Sequence, residues 1–340
     1  MIQAQQVAAA LGQLDSTLTV EIVGISTKGD EDNKRRLDRF SSPGIFTKAL
    51  EDALLAGAGD AAVHSAKDVP TAVDERFELA AFLPRSDPRD AIVFGPTLRQ
   101  EASSANRRDR AGRPNRVYKA AVAEQLAGKA RDMRRLDDPF ASVSPLDVPL
   151  NPASLVATGS PRRRSMLSFY RPDLSFVDLR GNMETRLSKL GEVDAIVASA
   201  AALDRLDVTA TQEGKGFGVV RLDPFLFVPA AGQGAIVVET LKESRFADLL
   251  HALDDPDTST AVAFERACLA GFGAGCAVPM GAFACVVGGE TMLVAAACSL
   301  SGGRLIKMSR RLGEVEAARE LGRSLAELVG GSVEVPVSER

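Results

Sequence analysis

The chain has 340 residues, 45% of them apolar, and its 41 basic residues against 45 acidic ones leave a net charge of −4. That is enough chain to bury the cores of two or three domains. An acidic total argues against nucleic acid as a partner, and no apolar run reaches the roughly 18 residues of a membrane helix.

The first 27 residues carry neither Lys nor Arg, so a secretory n-region is not expected and the reading is a cytoplasmic protein. Residues 3–14 read as a helix, and residues 18–26 alternate as a strand. The stretch 27–43 reads as a long loop, rich enough in Asp, Lys and Arg to be mobile. Phe46, Ala49, Leu50, Ala53 and Leu54 predict an amphipathic helix over 45–56, closed by Gly57 and Gly59. Residues 61–64 form the next strand, and 65–70 a turn at its carboxyl end, because Pro70 keeps Val69 out of the helical region. Taken alone, Lys67 and Asp68 read as readily as a surface ion pair as a site, and His64 reads as a structural histidine.

Short apolar runs at 79–84 and 90–95 predict strands that carry the chain toward a second domain. Six arginines then fall within the eighteen residues 99–116, followed by a predicted helix over 117–136 and a Pro-punctuated return to Leu150. This is an insertion at about 97–150, read as a solvated appendage rather than a lid over an anion.

Residues 155–158 predict a buried strand that turns at Gly159 into a helix, with Ser160 as N-cap and Pro161 in the first position. Arg162, Arg163 and Arg164 fill the first turn. A helix N-terminus already carries partial positive charge, so arginines there point to an absent anion. The arrangement recurs: a strand over 174–179 turns through Arg180 toward Arg186, and a strand over 194–199 leads into a short helix ending near Arg205. Such junctions lie at the carboxyl ends of parallel strands, where α/β folds bind ligands, so these arginines can converge. A lone arginine triplet also reads as a solvated basic face.

Residues 228–239 join a Gly-rich turn to a strongly apolar strand suited to the interior of a parallel sheet. The chain is therefore expected to cross back and complete the first domain's sheet, followed by a helix over 244–253. A last domain begins near 254, with a helix over 258–270, a loop over 271–279, three strands, and an amphipathic helix over 315–329. Cys268, Cys276, Cys285 and Cys298 show no C-x-x-C spacing and the only histidines are His64 and His251, so no metal site is expected. Glycines at 271, 273 and 275 leave the sulfur of Cys276 accessible, although the ordinary role of a free cysteine is that of a small buried hydrophobe.

Six runs in order, A-V-H-S-A-K-D-V-P (62–70), D-P-R-D-A (87–91), T-G-S-P-R-R (158–163), L-R-G-N-M-E-T-R-L (179–187), A-A-G-Q-G-A (230–235) and G-C-A-V-P-M-G (275–281), resemble the hydroxymethylbilane synthase family, also called porphobilinogen deaminase. The resemblance covers nearly the whole chain outside 97–150. It implies an α/β fold of two type II periplasmic-binding-protein-like domains joined by a double crossover, plus a small C-terminal α/β domain. Their bounds would be 1–96 with 230–253, then 97–229, then 254–340.

The implied activity is stepwise head-to-tail polymerisation of four porphobilinogen molecules, with release of ammonia, in tetrapyrrole (haem) biosynthesis. The implied cofactor is a dipyrromethane primer held by a thioether to Cys276. The implied catalytic residue is Asp68, and the implied cofactor- and substrate-binding residues are Lys67, Thr158, Ser160, Arg162, Arg163, Arg180, Arg186 and Arg205. Guanidinium forks suit the acetate and propionate groups of the pyrroles. A cytoplasmic monomer with no nucleic-acid or membrane partner is expected.

The chain departs from the family pattern. Gln3, Ala4, Val7 and Leu11 align with the family's first helix, so its opening strand, with an Arg-x-Ser stretch that helps hold cofactor and substrate, is expected to be missing. Pro43, Gly159 and Ala277 also differ from it. A truncated or degenerate paralogue without catalysis and a small-anion-binding module are the competing readings.

Overall fold

The computed structural model describes residues 1–25, 45–95, 144–206, 217–273 and 279–329. The predicted loop at 27–43, the arginine-rich run and helix at 99–136, and the segment bearing Cys276 lie outside the described residues. So do Ser26, the end of the predicted first strand, and residues 277 and 278.

Helix α1 (Ile2–Leu14) opens the chain. The strand expected next is not formed: residues 18–25 are irregular, with Val20 40% and Val23 53% exposed. Alternation yields a strand only beside a neighbour that takes its hydrogen bonds, and among the described residues none lies there. Helix α2 (Ile45–Leu55) ends as the glycine predicts, with Gly57 at φ +68° and the Ala58 N–H donating to the Ala53 carbonyl at 2.9 Å.

Strand β1 (Ala62–Ser65), a 3₁₀ turn at Ala66–Asp68 and β2 (Phe77–Phe82) follow. The chain then crosses to β3 (Asp90–Phe94). After the undescribed stretch come β4 (Leu155–Ala157), α3 (Pro161–Tyr170), β5 (Ser175–Val177), α4 (Met183–Ser188), β6 (Ala195–Ser199), α5 (Ala200–Arg205) and β7 (Gly218–Arg221). The return brings β8 (Ile236–Leu241) and the short α6 (Ala247–His251). Helix α7 (Pro256–Phe272), β9 (Met280–Val287), β10 (Glu290–Cys298), β11 (Leu305–Leu312) and α8 (Val315–Val329) complete the described chain.

Three sheets result. The first has order β1-β8-β2, so β8 does cross back into the first sheet and sits at its centre. It runs antiparallel to both neighbours rather than parallel. Its buried, apolar run suits either direction because both faces are covered: Val7, Leu11 and Leu250 pack on one side, Val262 of α7 on the other.

The second sheet has order β5-β4-β6-β3-β7, with β4, β5 and β6 parallel and β3 antiparallel to β6 and β7. The parallel trio places the starts of α3, α4 and α5 along one edge. Strand β7, a short half-buried G-V-V-R, carries no alternation and was not legible as a strand. Residues 144–150, expected to belong to a solvated appendage, instead reach this sheet's core: Val148 and Leu150 are buried there, and Arg171 donates to both their carbonyls.

The third sheet is the meander β9-β10-β11, covered by α7 and α8. The helices approach closely because a Cβ on Gly322 would meet the Cys268 carbonyl at 2.0 Å. Leu321 and Leu325 are fully buried beneath them, each worth about 1.5–3 kcal/mol. This unit is bolted to the second sheet, since Phe283, Val294 and Ala296 share a core with Met166 and Leu167. The Ser165 hydroxyl of α3 also donates to the Leu300 carbonyl at 3.1 Å.

Candidate functional site

At the β4–α3 junction the local reading holds in detail. Ser160 caps the helix by accepting from the Arg163 N–H, Pro161 follows it, and the Thr158 hydroxyl, itself buried, accepts from the Ser160 N–H at 3.2 Å. The three arginines then part company. Arg164 turns outward to Asp178 at 2.9 Å, their side chains 39% and 49% exposed. Arg162 and Arg163 turn inward and are buried.

The anion expected for that helix end is partly supplied by the protein itself. The carboxylate of Asp90, wholly buried at the start of β3, lies 2.8 Å from Arg162 Nη1 and 2.8 Å from Arg163. Arg162 also donates to the Val228 carbonyl at 2.8 Å, and Arg163 to Gln233 Oε1 at 3.3 Å. Burial alone would raise the Asp90 pKa, but Arg162 and Arg163 hold it down at about 2. Burial in turn lowers Arg162, against the pull of Asp90. Two guanidinium groups face one carboxylate, which leaves surplus positive charge at the junction.

The other two junctions contribute cations that lie less deep. Asn182 caps α4 by accepting from the Thr185 N–H at 2.9 Å, and Arg186 Nε folds back onto the Gly181 carbonyl at 2.8 Å. Burial and the neighbouring charge of Arg163 both lower Arg186. Arg180 is half-buried in the same turn. Arg205 ends α5; burial lowers it, while the charges of Asp68 and Asp204 oppose that. It makes no hydrogen bond or ion pair among the described residues. Its neighbour Asp204 instead pairs with Arg221, which also binds Asp87, itself pinned to Arg89 at 2.7 Å.

Opposite stands the turn after β1. Asp68 is exposed and Lys67 half-buried. Burial takes the Lys67 pKa down to about 8; Asp68 and Asp90 oppose this, and Arg163 and Arg162 reinforce it. Among the described residues Lys67 has neither an ion pair nor a hydrogen bond. The two sides lie within electrostatic reach of each other: Lys67 feels Arg162, Arg163 and Asp90, and Arg205 feels Asp68. His64 has the structural role expected of it, its Nε2 2.9 Å from Glu239 Oε2 inside the first sheet.

Sequence reasoning assigned no role to Asp90 or Gln233, although both lie in the quoted runs. Gln233 donates to Asp90 Oδ1 at 3.0 Å and to the Pro88 carbonyl at 2.8 Å, binding the two crossover segments together. The available signal was a charged residue opening the otherwise apolar strand D-A-I-V-F. Glu265 was equally silent. Fully buried in α7, it takes Arg85 bidentately at 2.7 and 3.0 Å and accepts from the N–H groups of Gly232 and Ala284.

A family model described as the dipyromethane cofactor binding domain of porphobilinogen deaminase matches residues 1–123 and 134–248, and one for that enzyme's C-terminal domain matches 259–329. The chain belongs to the porphobilinogen deaminase family. Porphobilinogen deaminase of Acidothermus cellulolyticus is 36% identical over 331 residues, covering 95% of this chain and 83% of that protein. That of Mycobacterium tuberculosis is 38% identical over 326 residues, covering 91% and 85%. Among solved structures, the periplasmic VFT2 domain of Bordetella pertussis BvgS covers 74% of this chain and 75% of that one, at 16% identity and a TM-score of 0.34, too low to carry an argument. The family's cofactor is dipyrromethane and the architecture is the α/β one that the resemblance implies. No described helix is long and apolar enough to cross a membrane.

Proposed function

We propose that the chain is a hydroxymethylbilane synthase, which joins four porphobilinogen molecules head to tail on a dipyrromethane primer and releases ammonia at each step. The observation that carries this reading is the nearness of the Lys67–Asp68 turn to Arg163, bridged by Gly232 packed on Lys67 N and Gln233 bonded to Arg163, with Arg162, Arg186 and Arg205 in electrostatic reach. A polycarboxylate primer fits that donor set. Lys67 and Arg205 have no partner among the described residues, and the Arg162–Arg163 pair keeps surplus charge after Asp90.

Lys67, Arg162, Arg163, Arg180, Arg186 and Arg205 would bind the carboxylates, with Thr158 and Ser160 shaping the junction. When bound, the primer would supply the nucleophilic pyrrole carbon to which the first unit is joined, and each added ring would supply the carbon for the next. Asp68 would stabilise the positive charge that develops on the substrate ring as ammonia leaves, by electrostatics set in advance.

Attachment is assigned to Cys276. Support comes from the other cysteines: burial pushes the thiols of Cys268 and Cys298 up to about 12 and raises Cys285 as well, so each is a poor nucleophile. We divide the chain at 1–96 with 230–253, 97–229 and 254–340, and place it in the cytoplasm as a monomer. The test is turnover: the purified protein given porphobilinogen should release one ammonia for each molecule consumed and form a linear tetrapyrrole. Binding of porphobilinogen without consumption would instead support a degenerate paralogue or an anion-binding module.

A further inference from the structure

The turn that presents Lys67 and Asp68 is braced from behind by two adjacent residues of α7. Arg266 Nη1 donates to the Val69 carbonyl at 3.0 Å, and Nη2 donates to those of Pro70 at 2.5 Å and Thr71 at 3.3 Å. Among the described residues no backbone N–H reaches these three carbonyls, so one guanidinium does for the segment what a neighbouring strand would do. Among the described residues the turn itself closes only through the Val69 N–H to the Ala66 carbonyl at 3.3 Å.

From the other flank, Glu265 accepts from the Gly232 N–H at 2.6 Å. Gly232 is pressed against the turn so closely that a Cβ there would lie 3.0 Å from both Ala66 C and Lys67 N. The backbone bearing Asp68 is thus held between Gly232 and Arg266, both set by α7. Arg266 is half-buried and directs its N–H groups to backbone carbonyls, and the chemistry assigned to the cleft gives it no task.

We propose that Arg266 is a positioning residue: it fixes the depth and orientation of the 66–71 turn so that the Asp68 carboxylate meets the substrate ring. The inference rests on the reading of Asp68 as the catalytic group. Three carbonyls spread along the chain require a planar fork with several fixed donors, which a lysine ammonium reproduces only in part.

The test compares Arg266→Ala, Arg266→Lys and Asp68→Asn with the unmodified full-length enzyme carrying its primer. Displacing a reacting group by about 1 Å costs on the order of 100-fold in rate, so Arg266→Ala should lower kcat by about 10- to 100-fold with KM within about twofold. Primer loading, read by aldehyde colour, should persist in it. Hydrogen exchange of residues 66–71 should quicken, and Arg266→Lys should recover part of the kcat. An unchanged kcat in Arg266→Ala beside a crippled Asp68→Asn overturns the proposal and spares the Asp68 reading. So does a loss in which kcat, KM and thermal stability move together and lysine restores only stability. Near-normal turnover by Asp68→Asn overturns both. Should Arg266→Ala fail to fold, the lysine variant decides alone, by whether kcat falls while KM and melting temperature hold.

Discussion

The first turn of α3 carries two buried cations, and the turn after β1, within their electrostatic reach, carries a cation beside an anion. Arg162 and Arg163 are deeply buried and answered by Asp90, Gln233 and backbone carbonyls. Asp68 is exposed and Lys67 half-buried, and Lys67 has no hydrogen bond or ion pair among the described residues. The difference follows from solvation. A charge taken fully out of water must carry its own counter-ion, whereas one at the rim can wait for a ligand's. The site therefore holds two populations of charge, one that builds the scaffold and one left open to a ligand.

The largest effect should come from the shallow side. Removing the charge of Asp68 while keeping its shape, as in Asp68→Asn, should lower kcat roughly a thousandfold, because a unit pair at about 4 Å is worth about 4 kcal/mol at an effective dielectric near 20. The primer should stay bound; single-turnover kinetics would show it.

Next comes the deep side. Asp90→Asn strips the counter-ion from two buried arginines and should cost about 3–5 kcal/mol of stability, read by denaturant unfolding. Affinity for the anionic substrate should not fall with it, since the freed guanidinium charge favours anions. A fall in affinity without loss of stability would erase the distinction between the two populations.

Arg205→Ala should do the reverse. It should raise KM about tenfold through one lost charge-assisted contact and change stability by less than about 1 kcal/mol.

The smallest effect is one of pH. Lys67, held near 8 by burial against Asp68 and Asp90, with Arg163 and Arg162 adding to the shift, should lose its charge as pH rises through that value, and KM should climb several-fold. Stability should move the other way. The unfolded chain keeps this proton up to the ordinary lysine value of 10.5, so between about 8 and 10.5 the folded state holds fewer protons and gains stability as pH rises. Lys67→Met should flatten both trends.

Much of the second sheet was legible because its signals are local. A cap at Ser160, a proline at 161, a turn at Arg180 and short apolar runs before each helix place three junctions without reference to distant chain. What failed was whatever needs a distant partner. Residues 18–25 alternate correctly but have no adjacent strand among the described residues, and β8 reads the same whether parallel or antiparallel. The pairing of Asp90 with Arg163 spans 73 positions. The helix terminus announced that an anion was required, and only the fold could say that the protein provides one itself. The clamp of Arg266 on the Asp68 turn was invisible for the same reason, since its acceptors are backbone carbonyls nearly 200 positions away that carry no sequence signature.

The central claim, a many-carboxylate chain grown on one sulfur and held by the rim charges, is tested most directly by intact mass before and after brief exposure to porphobilinogen. The purified protein should weigh more than its polypeptide by one dipyrromethane and then gain successive pyrrole increments, with both absent in Cys276→Ser. A bare polypeptide mass in both samples would contradict the account.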